Sequence, residues 1–158
     1  MNRVLRVLFM NISFLVANKT LAISASCFNL THLDNNIISI CEKHNKNFLV
    51  LEFFSPDCRS CERNISQFKY LEQEISNFAH TRLVSFGNAL DTAKFAQRYA
   101  LSTQIALDKG GKALRAYGIS RVPAIVVINN QNKIIHQNTN NLTNKEISKI
   151  INLVKQNN

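Results

Sequence analysis

Apolar positions in this chain gather into short blocks, and the densest runs from Phe48 to Phe54, Phe-Leu-Val-Leu-Glu-Phe-Phe. A continuous block of that length fits a strand buried on both faces. Ser55-Pro56-Asp57 stops it, because proline has no N–H for a ladder and all three residues favour turns. From Arg59 onward the apolar residues fall at Ile65, Phe68, Leu71 and Ile75, the spacing of one helical face. The same reading predicts a first helix over Asp34–Lys43, with Ile37, Ile38, Ile40 and Cys41 on its apolar side. It places a strand at Thr81–Phe86, then a helix over Asp91–Tyr99 with Ala93, Phe95, Ala96 and Tyr99 inward and Asp91 as N-cap. A short strand Gln104–Leu107 leads into the Asp108–Gly111 turn and a short helix, Lys112–Tyr117, stopped by Gly118. Ala124–Ile128 reads as a buried strand, Asn129–Asn132 as a hairpin loop and Lys133–His136 as the returning edge. Ile147, Ile150, Ile151 and Val154 line one face of a closing helix, Asn144–Val154. Strands and helices alternate without repeat or linker, which is an α/β pattern.

The start of the chain has a different character. Arg3 and Arg6 precede an apolar stretch from Val7 to Ala17, and small residues follow at Ala22, Ser24, Ala25 and Ser26. That is the build of a secretory signal peptide, and the apolar stretch is shorter than the roughly 20 residues a membrane span needs. We therefore divide the chain into a leader, 1–25, cut after Ser24 or Ala25, and one domain, 26–158. An uncleaved leader would tether the protein to a membrane, and Ser24-Ala-Ser-Cys27 faintly resembles a lipoprotein acylation site. Export permits disulfides. The four cysteines allow three pairings, and Cys27 with Cys41 is one option beside free thiols.

Charge changes the picture little. The leader carries Arg3, Arg6 and Lys19 and no acid, so the 19 basic and 10 acidic residues of the chain become 16 and 10 in the domain, a net +6. The basic residues are scattered, without runs or interleaved aromatics, which argues against nucleic acid as a partner. A surplus of this size still favours acidic partners or anionic surfaces.

Cys58 and Cys61 carry the candidate chemistry. They sit in the first turn of a helix that leaves the carboxyl end of a buried strand. Unpaired N–H groups and the helix dipole there favour thiolate, and Arg59 and Arg63 add positive charge. Cys58, nearer the helix end, is the expected exposed nucleophile. Cys61, one turn in, is the expected resolving thiol. This is the arrangement of a dithiol–disulfide exchanger.

With these elements in hand, residues 34–156 resemble the thioredoxin superfamily. Strand, turn, Cys-x-x-Cys and helix match it, as does Arg121-Val122-Pro123 ahead of Ala-Ile-Val-Val-Ile. The stretch from Leu107 to Pro123 is most similar to TlpA/ResA-type thiol reductases and their peroxiredoxin relatives. The resemblance implies a thioredoxin-like three-layer α/β/α sandwich with a central mixed sheet. It implies a redox-active Cys58–Cys61 disulfide, and a cis Val122–Pro123 bond whose neighbouring backbone docks substrate, with Arg121 biasing charge. Glu52 matches a buried acid that accepts a proton from the second cysteine, or is structural. The implied activity is thiol–disulfide exchange with protein substrates in a bacterial periplasm. It needs no cofactor and no metal, is served by a membrane electron donor or acceptor, and runs as a reductant of the cytochrome c maturation type.

Departures leave the direction open. Arg59-Ser60 separates the cysteines, Val122 precedes the proline, Ser66 stands where relatives have a helix-kinking proline, and Asp57 adds a negative charge beside Cys58. Alternatives are a disulfide-introducing oxidant, or a metal-binding or chaperone-like module in which thiolates hold copper(I) or zinc. His32, His44, His80 and His136 show no ligand spacing to the cysteines. A structural disulfide leaves the Val-Pro element unexplained, and Pro56 lies too close to Cys58 for a peroxidatic motif.

Overall fold

The computed structural model describes residues 24–40 and 46–157. Eleven elements follow in chain order: β1 (Asn29–His32), β2 (Ile37–Ser39), β3 (Phe48–Phe54), α1 (Arg59–Ile75), β4 (Ala79–Ser85), α2 (Ala89–Arg98), β5 (Ile105–Leu107), α3 (Lys112–Ala116), β6 (Ala124–Asn129), β7 (Ile134–Asn138) and α4 (Asn144–Gln156). The seven strands form one sheet in the order β2-β1-β5-β4-β3-β6-β7. β3 pairs parallel with β4 and antiparallel with β6, so the sheet is mixed.

β3 is buried at every position, and its side chains divide between two cores. Phe48, Val50 and Phe54 face α1 and α4, joining Ile65, Phe68, Leu71, Ile75, Ile147 and Ile150. Phe95 of α2 belongs to the same core and lies against Phe54, with ring centroids 5.0 Å apart. Each fully buried aliphatic or aromatic side chain contributes about 1.5–3 kcal/mol, so this face holds most of the helical layer. On the other face Leu49, Leu51 and Phe53 meet Val84, Val126, Ile128, Tyr117 and Ile119, under short α3 and the segment from Ala25 to Ile40. Among the described residues the helical layers are thus unequal: three helices cover one face and a five-residue helix the other.

Three expectations are corrected. Asp34–Lys43 is not a helix over its described part; β1 and β2 make a hairpin there, and Cys41 to Lys43 lie outside the described residues. Asn35 takes the left-handed conformation (φ 67°), and the Asp34 carboxylate accepts from the Asn36 N–H at 3.0 Å. Such side-chain turns compete with helix. The second helix starts two residues early, at Ala89, because the Asn88 side chain, not Asp91, caps it by accepting from the Asp91 N–H at 2.8 Å. Ala93 is exposed, and Thr92 points inward, its hydroxyl 2.8 Å from that of Ser85.

Of the expected leader, residues 1–23 lie outside the described residues, but Ser24 and Ala25 are already in the fold. Ser24 bridges Lys133, and the buried Ala25 donates its N–H to the Asn132 carbonyl at 2.7 Å. Among the described residues no helix is long and apolar enough to cross a membrane.

Candidate active site

β3 runs straight into the site. Ser55 is buried and its hydroxyl bonds the Asp57 carboxylate, which closes the turn between strand and helix. Pro56 in that turn packs on Gly87: a Cβ on Gly87 would stand 2.5 Å from the proline Cδ. The turn is therefore clamped between its own hydrogen bond and the loop after β4.

Cys58 is the N-cap of α1. Its backbone is extended (φ −87°, ψ 104°), and its sulfur accepts from the Cys61 N–H at 3.1 Å. That N–H, which also donates to the Cys58 carbonyl at 2.9 Å, stabilises negative charge on the sulfur it faces. Cys58 is half-buried while Cys61 is buried at 1 % exposure, and the two form a disulfide. An attacking thiol can therefore reach Cys58 and not Cys61. The Ser60 hydroxyl lies 3.3 Å from the Cys58 sulfur.

The antiparallel register of β3 with β6 brings in the second half of the site. Phe53 pairs with Ala124, so Pro123 falls alongside Phe54 at the end of β3 where the cysteine turn begins. The Val122–Pro123 peptide is cis, and the Val122 carbonyl oxygen lies 3.8 Å from the Cys58 sulfur. Arg121 is exposed beside it, donating from Nε to the Thr139 carbonyl at 3.1 Å and from Nη2 to Asn140 Oδ1 at 3.0 Å.

Glu52 stands on the α1-facing side of β3 and has no exposure. Asn64 Nδ2 donates to its Oε1 at 2.9 Å, and Oε2 has no hydrogen-bond partner among the described residues. Burial pushes its carboxyl up to about 8, against a smaller opposing effect of the Asn64 bond. A carboxyl in that range both holds and releases a proton near neutrality.

Residues 23–137 match the AhpC/TSA family. The chain belongs to the AhpC/TSA family. Among relatives within its thioredoxin-like fold, the thiol-disulfide oxidoreductase ResA of Halalkalibacterium halodurans is 28% identical over 130 residues, 81% of this chain and 73% of that protein. The ResA of Geobacillus thermodenitrificans is 27% identical over 111 residues, 66% of this chain and 62% of that protein. Two solved structures share the fold. StoA of Bacillus subtilis superposes with a TM-score of 0.66 at 19% identity, over 80% of this chain and 95% of that one. A thiol-disulfide oxidoreductase from Bacteroides fragilis gives 0.72 at 15% identity, over 83% and 98%. This AhpC/TSA member is a thiol–disulfide oxidoreductase carrying its disulfide at Cys58–Cys61.

The residues singled out from the sequence thus fall into two groups in space. Cys58, Cys61, Val122 and Pro123 converge at one sheet end, and Glu52 lies beneath them in the core with Asn64. Two residues that shape this arrangement escaped the sequence reading. Asn64 follows Cys61 by three positions, and a polar residue at the inward spacing of an apolar helix was its signal. Besides Glu52 it holds the chain before α4, accepting from the Leu142 N–H at 2.6 Å. Gly87 carried no signal beyond being a glycine after a strand. Cys27 is exposed and disulfide-bonded, while Cys41, considered above as its partner, lies outside the described residues.

Proposed function

We propose that this oxidoreductase acts on protein substrates in a bacterial periplasm, as a reductant of the cytochrome c maturation type. The observation that carries the exchange mechanism is the asymmetry of the pair: one reachable sulfur at a helix N-cap, one buried a turn deeper, with a backbone carbonyl from a separate loop against the first.

In the reducing direction the Cys58 thiolate attacks one sulfur of a substrate disulfide. The substrate S–S bond breaks, a Cys58–substrate disulfide forms and the other substrate sulfur leaves as thiolate. Cys61 gives up its proton and attacks the Cys58 sulfur, which closes the Cys58–Cys61 disulfide and releases the second substrate thiolate. Two electrons pass from the protein to the substrate, and the protons from the two cysteines end on the substrate thiols. The Cys61 N–H stabilises the Cys58 thiolate in the first step. Glu52, neutral at pH 7 and ionised above about 8, is suited to exchanging a proton with the buried half of the site. The backbone at Val122 and Pro123 would hold the substrate chain beside Cys58, and Arg121 would set the charge there. The resemblance of Leu107 to Pro123 to TlpA/ResA-type thiol reductases supports the reducing direction, and the basic, apolar start of the chain supports a leader that directs or tethers it.

The test is the reduction potential of Cys58–Cys61, from equilibration with glutathione or dithiothreitol and mass spectrometry of the peptide that contains both cysteines. A value near thioredoxin's, about −270 mV or lower, supports a reductant. A value near about −120 mV makes the protein an oxidant. Absence of exchange with either thiol removes the catalytic reading.

A further inference from the structure

Two clefts flank the cysteine turn, separated by the exposed Phe86, which lines both. They differ in charge balance. The cleft on the α2 side holds Asp57, Asp91, Lys94 and Arg98, and its charges are answered locally. Asp91 approaches Lys94 at 4.0 Å, Arg98 approaches Glu62 at 3.5 Å, and Asp57 is bonded by Ser55.

The opposite cleft, of about 300 Å³, is not balanced. Phe86, Leu114 and Val122 give it apolar walls, and Arg115 and Arg121 bring two guanidinium groups to it. Among the described residues neither guanidinium pairs with a carboxylate. Arg115 donates from Nη1 to the Gly110 carbonyl at 2.6 Å, and Arg121 to Thr139 and Asn140. Those neutral acceptors fix the two side chains and leave most of their five N–H donors each unused. Val122 lines this cleft and also touches the Cys58 sulfur, so whatever fills the cleft is continuous with the reacting disulfide.

We propose that this cleft selects protein substrates that carry an acidic side chain close to their reactive cysteine, the carboxylate held by Arg115 and Arg121 and a neighbouring apolar residue resting on Phe86 and Leu114. The inference rests on the oxidoreductase reading above and adds the substrate class. Arginine matches a carboxylate with paired parallel N–H donors, so a fixed guanidinium selects by geometry as well as by charge. The excess of basic over acidic residues in the domain, 16 against 10, draws acidic segments toward the surface before contact.

The probes are synthetic peptide disulfides identical except for Glu, Gln or Lys two residues from the cysteine. Their second-order exchange rates are measured with the reduced full-length domain. Exposed ion pairs contribute modestly, so the Glu peptide should exceed the Lys peptide by roughly fivefold to tenfold at low ionic strength. The preference should shrink toward unity at 1 M salt, where the screening length is about 3 Å. Double substitution R115Q/R121Q should bring the Glu-to-Lys ratio near one, and R115K/R121K should retain part of it. Reading a ratio within each variant cancels any general loss of activity.

Equal rates for the three peptides in the unsubstituted protein overturn this inference and leave the oxidoreductase reading intact. A preference that survives R115Q/R121Q overturns it as well. Dependence on the arginines seen with glutathione disulfide, but not with the peptides, would reassign the cleft to a small acidic thiol and likewise overturn it. If no peptide exchanges at all, the oxidoreductase reading falls and this inference with it.

Discussion

Replacing Glu52 with glutamine isolates the buried carboxyl. Its folded-state pKa is raised from 4.5 to about 8, chiefly by burial. Between those values the folded protein keeps the proton while the unfolded chain releases it. Unfolding therefore becomes easier as pH rises: stability is full below about 4.5 and is lost progressively up to about 8. At 1.36 kcal/mol per pKa unit the whole loss is on the order of 5 kcal/mol, a large share of the 5–15 kcal/mol typical of a domain. Glutamine copies the neutral acid. Its carbonyl can still accept from Asn64, while its amide leaves an extra buried donor beside the unpartnered Oε2 position. That penalty, about 1–3 kcal/mol, does not vary with pH. Urea unfolding of the disulfide-intact protein at half-unit steps from pH 5 to 8 gives the stability difference between the two proteins. Subtraction removes every other titrating group, and the difference should tilt toward the variant by up to about 1.4 kcal/mol per pH unit. A flat difference across that range would show that Glu52 ionises like an exposed acid, and the proton-exchange role would fail with it.

Asn64→Leu should cost about 2–4 kcal/mol, because it strips the last partner from Glu52 and leaves the buried Leu142 N–H unpaired. Since the Asn64 bond lowers the Glu52 pKa, the variant should also carry its pH-dependent loss to higher pH; thermal melts across pH 5 to 9 read both effects. Gly87→Ala sets a methyl 2.5 Å from Pro56 Cδ and 2.7 Å from its Cγ, so the turn carrying Cys58 must shift. Overpacking of this kind costs about 1–3 kcal/mol. Alkylation of reduced Cys58 should change rate in the same variant, and an unchanged rate with unchanged stability would rule out the clamp.

Residues that decide structure through their immediate neighbours were legible from the chain. Phe48 to Phe54 fits a strand buried on both faces and forms one, and its register with β6 leads to the cysteine turn. The segment after Asp34 reads as a helix but forms a hairpin, because Ile37, Ile38 and Ile40 satisfy a helical face as readily as a hairpin. What decided it was the conformation of Asn35 and one carboxylate bond, neither visible in periodicity. Asp91 looked like a cap, yet Asn88 takes the position, since both residue types cap well and only the preceding turn chooses. Asn64 and Gly87 matter because of Glu52, Leu142 and Pro56, partners 12, 78 and 31 positions away. Arg115 and Arg121 came together only once α3 and the loop before β6 were seen to border one cleft.

The antiparallel partnership of β3 with β6 has a consequence for how the protein is made. Cys58 and Cys61 leave the ribosome more than sixty residues ahead of Pro123, and until β6 arrives the central strand has an open edge beside them. Closing that edge is a long-range event, of the slow kind in sheet formation. In the interval the chain holds two thiols on a turn that the Val122 carbonyl does not yet cover, free to couple with any disulfide they meet. The order in which the strands join thus sets when the cysteines gain a restricted set of partners.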